Sequence, residues 1–438
     1  MPRSTADEGF WSPRHRRIPM SRAIGLELAA RLARSFGLLD DGWGLSTLAE
    51  AFADVVEPDR AQDIAGRVIE LMPVEPVDPV NTLRRVLVDL PKLPTTVVAL
   101  DPAVVPTRFG AVEIPDLAAL ALLLNVTPTE LEWFADRGGW LRRAWSQPLS
   151  HYRYQRLPKA TGVRVVEAPK VRLREIQRRI LRRILAGVPA HPACHGFEKV
   201  CSAATFASPH AGSTLVIRQD LRDFFPTITV ARVRAVFTAC GYSPAVARVL
   251  AELCTTATPV AQLRGLDYSQ RTLLATRHLP QGAPTSPRLA NLVAHGLDRR
   301  LTGYALRHGL TYTRYADDLA FSGTAGLDTG RLIWTVTEIA RDEGFAVHTG
   351  KTLVRRAHQR QVLAGLVVND SPAAPRDRYD AVRALLHNCA RTGASTQNID
   401  EHNDFRAHVY GLISWIGETS PHRRDKLLAM ADRVDWTS

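Results

Sequence analysis

Apolar and polar positions change period along the chain, and each change predicts an element. Ala29, Leu32, Ala33 and Phe36 fall at helical spacing, and Leu48 to Ile69 continues in helix formers. Eight prolines in the 43 residues from Pro73 to Pro115 break any long helix and predict a linker. A helical pair follows at Asp116–Asn125 and Pro128–Arg137. Its second member opens on Thr127-Pro128-Thr129-Glu130, a capping box with proline at the first helical position, and Val126 with Leu131 would close a hydrophobic staple. Alternation around Ala160-Thr161-Gly162 predicts a β-hairpin over Tyr152–Val166, and Val171–Val188 reads as a basic amphipathic helix. Beyond it, Leu215-Val216-Ile217 reads as a buried strand. Val230–Cys254 and Pro287–His308 read as helices and Tyr312–Ser322 as a second hairpin. Phe345–Arg355 and Gln361–Asn369 read as strand-rich, and the chain from Asp377 onward as helical. There is no internal repeat and no low-complexity tract.

Composition narrows the class. The 438 residues suggest two to four domains. A hydrophobic share of 45% with 23% charged residues is globular usage, which excludes disorder, collagen-like repeats and a coiled-coil rod. The longest uncharged apolar stretch, Leu117 to Val126, falls well short of the ~20 residues of a membrane span. No apolar run follows Arg14, Arg16 and Arg17, so no secretory signal is visible. Cys194, Cys201, Cys240, Cys254 and Cys389 are odd in number, scattered and never in a CxxC pair, which argues against structural zinc or a disulfide framework and fits a cytoplasmic protein without membrane partners.

Net charge is +12, and its distribution matters more than its total. Between His151 and Ala190 eleven basic residues face only Glu167 and Glu175. Such a block is an electrostatic footprint for a polyanion, nucleic acid first. The helical pair at 116–137 superficially resembles a helix-turn-helix. Its would-be recognition helix carries Glu130, Glu132 and Asp136 against Arg137, the wrong sign for approaching phosphates, so it is expected to pack against the next domain.

Two segments carry the candidate chemistry. In Leu215-Val-Ile-Arg-Gln-Asp220-Leu-Arg-Asp223-Phe224-Phe225 an apolar strand delivers Asp220 at its end. In Tyr312-Thr-Arg-Tyr315-Ala316-Asp317-Asp318-Leu-Ala-Phe321 two adjacent acids occupy a tight turn between apolar runs. Half-buried carboxylates repel one another unless a cation intervenes, and hard Mg²⁺ suits all-oxygen donors. Two such ions about 3.5–4 Å apart activate an attacking hydroxyl and stabilise a leaving pyrophosphate.

Tyr315-Ala316-Asp317-Asp318 resembles the YxDD motif of reverse transcriptases. Leu279-Pro280-Gln281-Gly282-Ala283-Pro284-Thr285-Ser286-Pro287 is similar to their template- and nucleotide-positioning motif, and Asp220-Leu221-Arg222-Asp223-Phe224-Phe225 to their first carboxylate motif, in the family's order over roughly residues 115–430. The resemblance implies an α+β right-hand polymerase fold. A mostly helical N-terminal extension with a Pro-rich linker would occupy 1–114 and fingers 115–214. A palm with a ferredoxin-like antiparallel sheet, a finger insert and the carboxylates would occupy 215–374, and a helical thumb 375–438. It also implies roles. Asp220, Asp317 and Asp318 would be catalytic and, with the Leu221 carbonyl, would hold two Mg²⁺ ions, Mn²⁺ being the alternative. Lys351 would protonate the leaving pyrophosphate. Lys159 and Arg164 would grip the triphosphate, Phe225 would exclude a 2′-hydroxyl, and Gln281 and Gly282 would lie beside the nascent base pair. Asp223, His210 and His295 are left structural.

Among bacterial forms the retron type is most similar. His151-Tyr-Arg-Tyr154 before Leu157-Pro158-Lys159 and the insert Thr255–Leu279 resemble retron enzymes with long N-termini. Two elements depart from their pattern: Phe206-Ala207-Ser208-Pro209-His210 has Phe where NAxxH has Asn, and Leu363-Ala364-Gly365 replaces VTG. The resemblance implies copying of a structured noncoding RNA, acting as template and primer, from one of its 2′-hydroxyls into short single-stranded DNA (msDNA). The partners would be that RNA, dNTPs, the DNA product in its RNA–DNA hybrid, and an antiphage effector protein. Arg383, Arg391, Arg406, Arg423 and Arg424 would bind RNA. The alternatives are another defence-associated or domesticated reverse transcriptase and a catalytically idle RNA-binding scaffold.

Overall fold

The computed structural model describes residues 32–33, 43–72, 76, 79–89, 108–136, 139, 150–159, 162–324 and 326–436. The expectations for Ala29, Phe36 and most of the Pro-rich stretch lie outside these. Two compact units emerge, one within 12–103 and one within 104–438. In the first, α1 (Leu45–Ala53), α2 (Pro58–Leu71) and α3 (Pro79–Asp89) close a core of Leu48, Phe52, Ile64, Val68 and Leu83. The break falls before residue 104 rather than at 114. Ala111 and Ile114 are buried in the second unit's core, and the Tyr242 hydroxyl donates to the Val112 carbonyl at 3.0 Å.

The second unit opens with α4 (Leu117–Leu124) and α5 (Pro128–Ala135), and the Thr127–Glu130 capping box forms. Glu130 pairs with Arg172 at 3.2 Å, so one of the acids that disqualified this pair as a DNA reader faces the basic helix behind it. The hairpin β1 (Tyr152–Lys159) and β2 (Gly162–Pro169) is antiparallel in full register. Helix α6 (Val171–Arg179) then widens into a π-helical turn, Ile180–Leu185, where an unbroken α-helix was expected. Arg172, Arg179 and Arg183 on this segment donate to the carbonyls of Asn125, Leu124 and Leu123, the unpaired C-terminal end of α4. Part of the basic block therefore caps a helix, Arg183 and Arg172 doing so while still partly in solvent.

After the short α7 (Ala203–Ala207) the palm begins with β3 (Leu215–Arg222). The 230–254 helix is two, α8 (Val230–Ala239) and α9 (Pro244–Cys254), because Gly241 at φ +95° and Pro244 stop the first and start the second. The insert folds as α10 (Val260–Leu263) and α11 (Tyr268–Ala275). Two further helices, α12 (Ser286–Val293) and α13 (His295–Arg307), lead into the hairpin β4 (Thr311–Tyr315) and β5 (Asp318–Gly323). Then come α14 (Thr329–Asp342), β6 (Ala346–Val347), β7 (Leu353–Arg356) and a small hairpin, β8 (Val362–Leu363) with β9 (Leu366–Val367). The central sheet is antiparallel in the order β4-β5-β3-β6, with β7 also on β3. Leu215, Ile217, Leu221, Leu319 and Phe321 bury one of its faces under the helices.

The C-terminal helices α15 (Arg376–Thr392), α16 (Ala394–Gln397), α17 (Phe405–Thr419) and α18 (Pro421–Ala431) enclose a separate core of Val382, Leu386, Val409, Ile413 and Leu427. All five cysteines are free, and among the described residues no helix is long and apolar enough to cross a membrane.

Candidate functional site

Strand register assembles the acids. Asp220 on β3 lies opposite Asp318 on β5, and Tyr315 on β4 lies opposite the same residue, which leaves Ala316 and Asp317 as a two-residue connection. Ala316 sits at φ +55°, the left-handed conformation such connections need at their first position. The Leu221 amide donates to the Asp317 carbonyl at 2.8 Å, tying the turn to the end of β3. With side chains alternating along β3, Val216, Arg218 and Asp220 share the face opposite Leu215, Ile217 and Leu221.

Two cations offset the acids. Arg218 Nε donates to Asp318 Oδ1 at 2.9 Å, and Lys351 Nζ approaches both Asp220 oxygens at 3.0 and 3.3 Å. Burial raises the Asp317 carboxyl, and Asp220 adds to that, against Lys351 and Arg164. Burial likewise raises Asp318, with Arg218 pulling it back and Asp317 and Asp220 pushing it up. Among the described residues no three acidic, imidazole or thiol groups are gathered as one ready cation cage. The donors are nevertheless all hard oxygens in a half-buried site where Asp220 raises both Asp317 and Asp318, a set that fits divalent hard cations.

The nucleotide candidates line two adjoining hollows. One is walled by Val163, Arg164, Asp223, Gln270, Leu273 and Gln281, the other by Arg178, Phe225, Gly282, Ala283 and Pro284. Gly282 has φ +133°, and a Cβ there would stand 3.1 Å from the Glu167 carbonyl, so only glycine fits. Lys159 ends β1, and its side chain lies outside the described residues.

Several organising residues are absent from the motif reading. Glu167, 1% exposed, accepts from Thr258 Oγ1 at 2.6 Å and meets His278 Nε2 at 2.8 Å, while its amide donates to the Gln281 carbonyl at 2.8 Å. The base of the fingers hairpin is thereby bound to the insert and to the glutamine–glycine motif. Nearer its tip, Arg156 donates to the carbonyls of Gln262 and Arg264, and Gln270 Nε2 to that of Val163 at 3.3 Å. Glu167 read only as a counter-charge in a basic block, and nothing local marks it. Arg314 did carry a signal, since alternation puts it on the buried side of β4 with Tyr312.

His210 is a buried bridge, its ring nitrogens 2.7 Å from Ser322 and Thr313 hydroxyls, and burial pushes it down to about 4. Burial also pushes His295 down to about 3. Phe206, the departure from NAxxH, is core, with its ring 5.6 Å from that of Tyr315. Ala364 and Gly365, at φ +44° and +84°, form the β8–β9 turn.

The five thumb arginines differ. Arg391 is exposed near the end of α15, Arg383 pairs with Asp380 at 3.5 Å, and Arg406 lies over the Tyr410 ring. Arg424 pairs with Asp425 at 3.1 Å. Arg423 donates to the Ala374 carbonyl at 3.0 Å and stacks over Tyr379, which makes it part of the thumb's packing.

Residues 157–366 match the family of reverse transcriptases (RNA-dependent DNA polymerases). The chain is 40% identical to the retron Mx65 reverse transcriptase of Myxococcus xanthus over 63% of both chains. It is 35% identical to the retron Mx162 reverse transcriptase of the same organism, over 75% of this chain and 69% of that one. Identity to the retron Ec86 reverse transcriptase of Escherichia coli is 32%, over 60% and 74%. The matched region thus spans about two thirds to three quarters of these relatives. The fold, the strand register of the three aspartates and these matches agree: the chain belongs to the reverse transcriptase family, in its bacterial retron-type branch.

Proposed function

We propose that this protein is the RNA-directed DNA polymerase of a retron. It copies part of a structured noncoding RNA into short single-stranded DNA, starting from a 2′-hydroxyl of that RNA, and serves antiphage defence with an effector protein. The observation that carries the polymerase reading is the register setting Asp220 against Asp318, with Asp317 in the turn between β4 and β5. The retron reading draws its support from the named relatives.

In this reading Asp220, Asp317, Asp318 and the Leu221 carbonyl hold two Mg²⁺ ions, or Mn²⁺. When bound, the ions make the primer hydroxyl a better nucleophile and neutralise charge on the transferring phosphoryl group. Arg164 and Lys159 hold the triphosphate, and Gln281 and Gly282 bring backbone against the incoming nucleotide. Lys351, anchored on Asp220, supplies the proton to the departing pyrophosphate. Exposed Arg383, Arg391, Arg406 and Arg424 bind RNA phosphates by charge, a mode suited to reading structured RNA by shape; Arg423 contributes through the thumb's packing.

That Phe225 borders the same hollow as Gly282 supports its ring as the group that meets a ribose 2′-hydroxyl. Phe225→Ala is expected to raise ribonucleotide use relative to deoxynucleotides by about tenfold or more, read as the ratio of kcat/KM values for CTP and dCTP. An unchanged ratio would return Phe225 to the core.

The retron proposal is tested by expressing the gene with its native flanks and extracting total nucleic acid. One discrete short DNA is expected, shifting in mobility on debranching and absent from an Asp317→Asn, Asp318→Asn double variant. Activity on a generic primed RNA without that DNA would point to another defence-associated reverse transcriptase.

A further inference from the structure

Arg314 sits two residues before the catalytic turn and is completely buried. Its Nε and Nη2 donate to the two carboxylate oxygens of Asp298 on α13, each at 2.7 Å. The Tyr312 hydroxyl donates to the same Asp298 at 2.8 Å. The remaining nitrogen, Nη1, reaches Asn291 Oδ1 on α12 at 3.1 Å and the backbone carbonyl of Ala316 at 3.0 Å. A guanidinium has five donors in a rigid plane, so fixing one edge on Asp298 fixes where the other edge points. Here that edge holds the first residue of the two-residue turn.

The outer side of the turn is fixed as well. The Arg314 amide donates to the Ala193 carbonyl at 2.7 Å, and the His195 amide to the Arg314 carbonyl at 2.8 Å, so residues 193–196 run as a rail along β4. Asn291 Nδ2 donates to the Gly196 carbonyl at 2.7 Å, joining rail and guanidinium through one side chain. A Cβ on Gly196 would lie 2.5 Å from the Ala316 amide nitrogen, so the rail presses directly on the turn. Ala316 is thereby gripped from both sides in a left-handed conformation that alanine does not favour by itself.

We propose that Arg314, locked by Asp298 and Asn291, is a positioning residue that sets the height of the Ala316–Asp317 turn and with it the approach of Asp317 to Asp220. The proposal rests on the polymerase reading above. It differs from a merely stabilising role because the guanidinium contacts the turn itself. A lysine retains the charge opposite Asp298 but cannot span Asp298, Asn291 and Ala316 together.

The test uses the full chain, wild type, Arg314→Lys and Asn291→Ala, on poly(rA)/oligo(dT). For both variants kcat is expected to fall about tenfold or more. KM for dTTP should stay within about twofold, and the Mg²⁺ concentration for half-maximal synthesis should rise. Mn²⁺ titration of the template-bound protein, followed by the electron paramagnetic resonance signal of free Mn²⁺, reads the turn without any synthesis. Weaker binding by folded variants supports the proposal even if the polymerase reading fails. Should Arg314→Lys not fold, Asn291→Ala, which leaves the Arg314–Asp298 pair intact, decides by the same measures. A lower melting temperature with unchanged kcat and unchanged Mn²⁺ binding overturns the proposal and leaves the polymerase reading standing.

Discussion

Replacing Asp317 and Asp318 together by asparagine is expected to lower DNA synthesis by at least ~10³-fold, the scale associated with losing preorganised charge stabilisation in a phosphoryl transfer. The fold should survive, and the physical reason is specific. Burial raises both carboxyls in the folded protein, and the neighbouring acids add to it. An acid whose folded-state pKa is raised binds protons more readily folded than unfolded. Its ionisation therefore works against folding as pH climbs above the ordinary carboxylate range. Neutral amides of the same shape remove that cost. In metal-free buffer at pH 7.5 the double variant should melt no lower than wild type, and wild type should gain stability relative to the variant as pH falls toward the ordinary carboxylate range. Arg218 loses its partner but remains partly solvated, which limits the offset. Synthesis by a clean double variant would remove the three-aspartate assignment altogether. Lost synthesis with a collapsed fold would instead make the acids structural.

The parts of this site that could be read from the chain are those whose chemistry is written locally. Asp317-Asp318 between apolar runs, an acid ending an apolar strand and a glycine needed for close approach each show their placement within a few residues. The helix boundaries missed at Cys240–Ser243 and Ala294 follow from short breaks that a 3.6-residue apolar period runs through without changing phase. The π-helical turn at Ile180–Leu185 likewise has no local cue. What could not be read is pairing across sequence distance. Arg218 and Asp318 are 100 residues apart, Arg314 and Asp298 belong to a strand and a preceding helix, and Arg179 completes a helix end 55 residues upstream. In the sequence the arginines of 151–190 form one polyanion footprint, while the folded chain uses three of them as helix caps. Pairing thus converts a compositional signal into a structural one, and only the remaining exposed cations stay available to nucleic acid.

Glu167 makes the same point with the largest stability effect. Its carboxylate is enclosed with His278 and Thr258, and its backbone amide holds the Gln281 carbonyl. Glu167→Ala leaves a buried imidazole and hydroxyl without their partner, a loss of about 3–5 kcal/mol for breaking a buried pair from one side. Urea denaturation reads that loss. Glu167→Gln fills the same space and can still hydrogen-bond, so its cost should be distinctly smaller. The two variants separate further by pH. Burial pushes the His278 imidazole down, but the charge and hydrogen bond of Glu167 outweigh it, and the folded-state value is raised. A histidine so raised contributes stability that is full below its unfolded value and fades as pH rises through its folded one. Wild type should therefore lose stability from about pH 6.5 upward, and Glu167→Gln should lose that dependence. Because the pair fastens β2 to His278, three residues before the Gln281 whose carbonyl the Glu167 amide holds, KM for dNTPs should rise in both variants more than kcat falls. Identical pH profiles for wild type and Glu167→Gln would show that the ion pair does not contribute to folding, and an unchanged KM would separate the hairpin's anchoring from nucleotide binding.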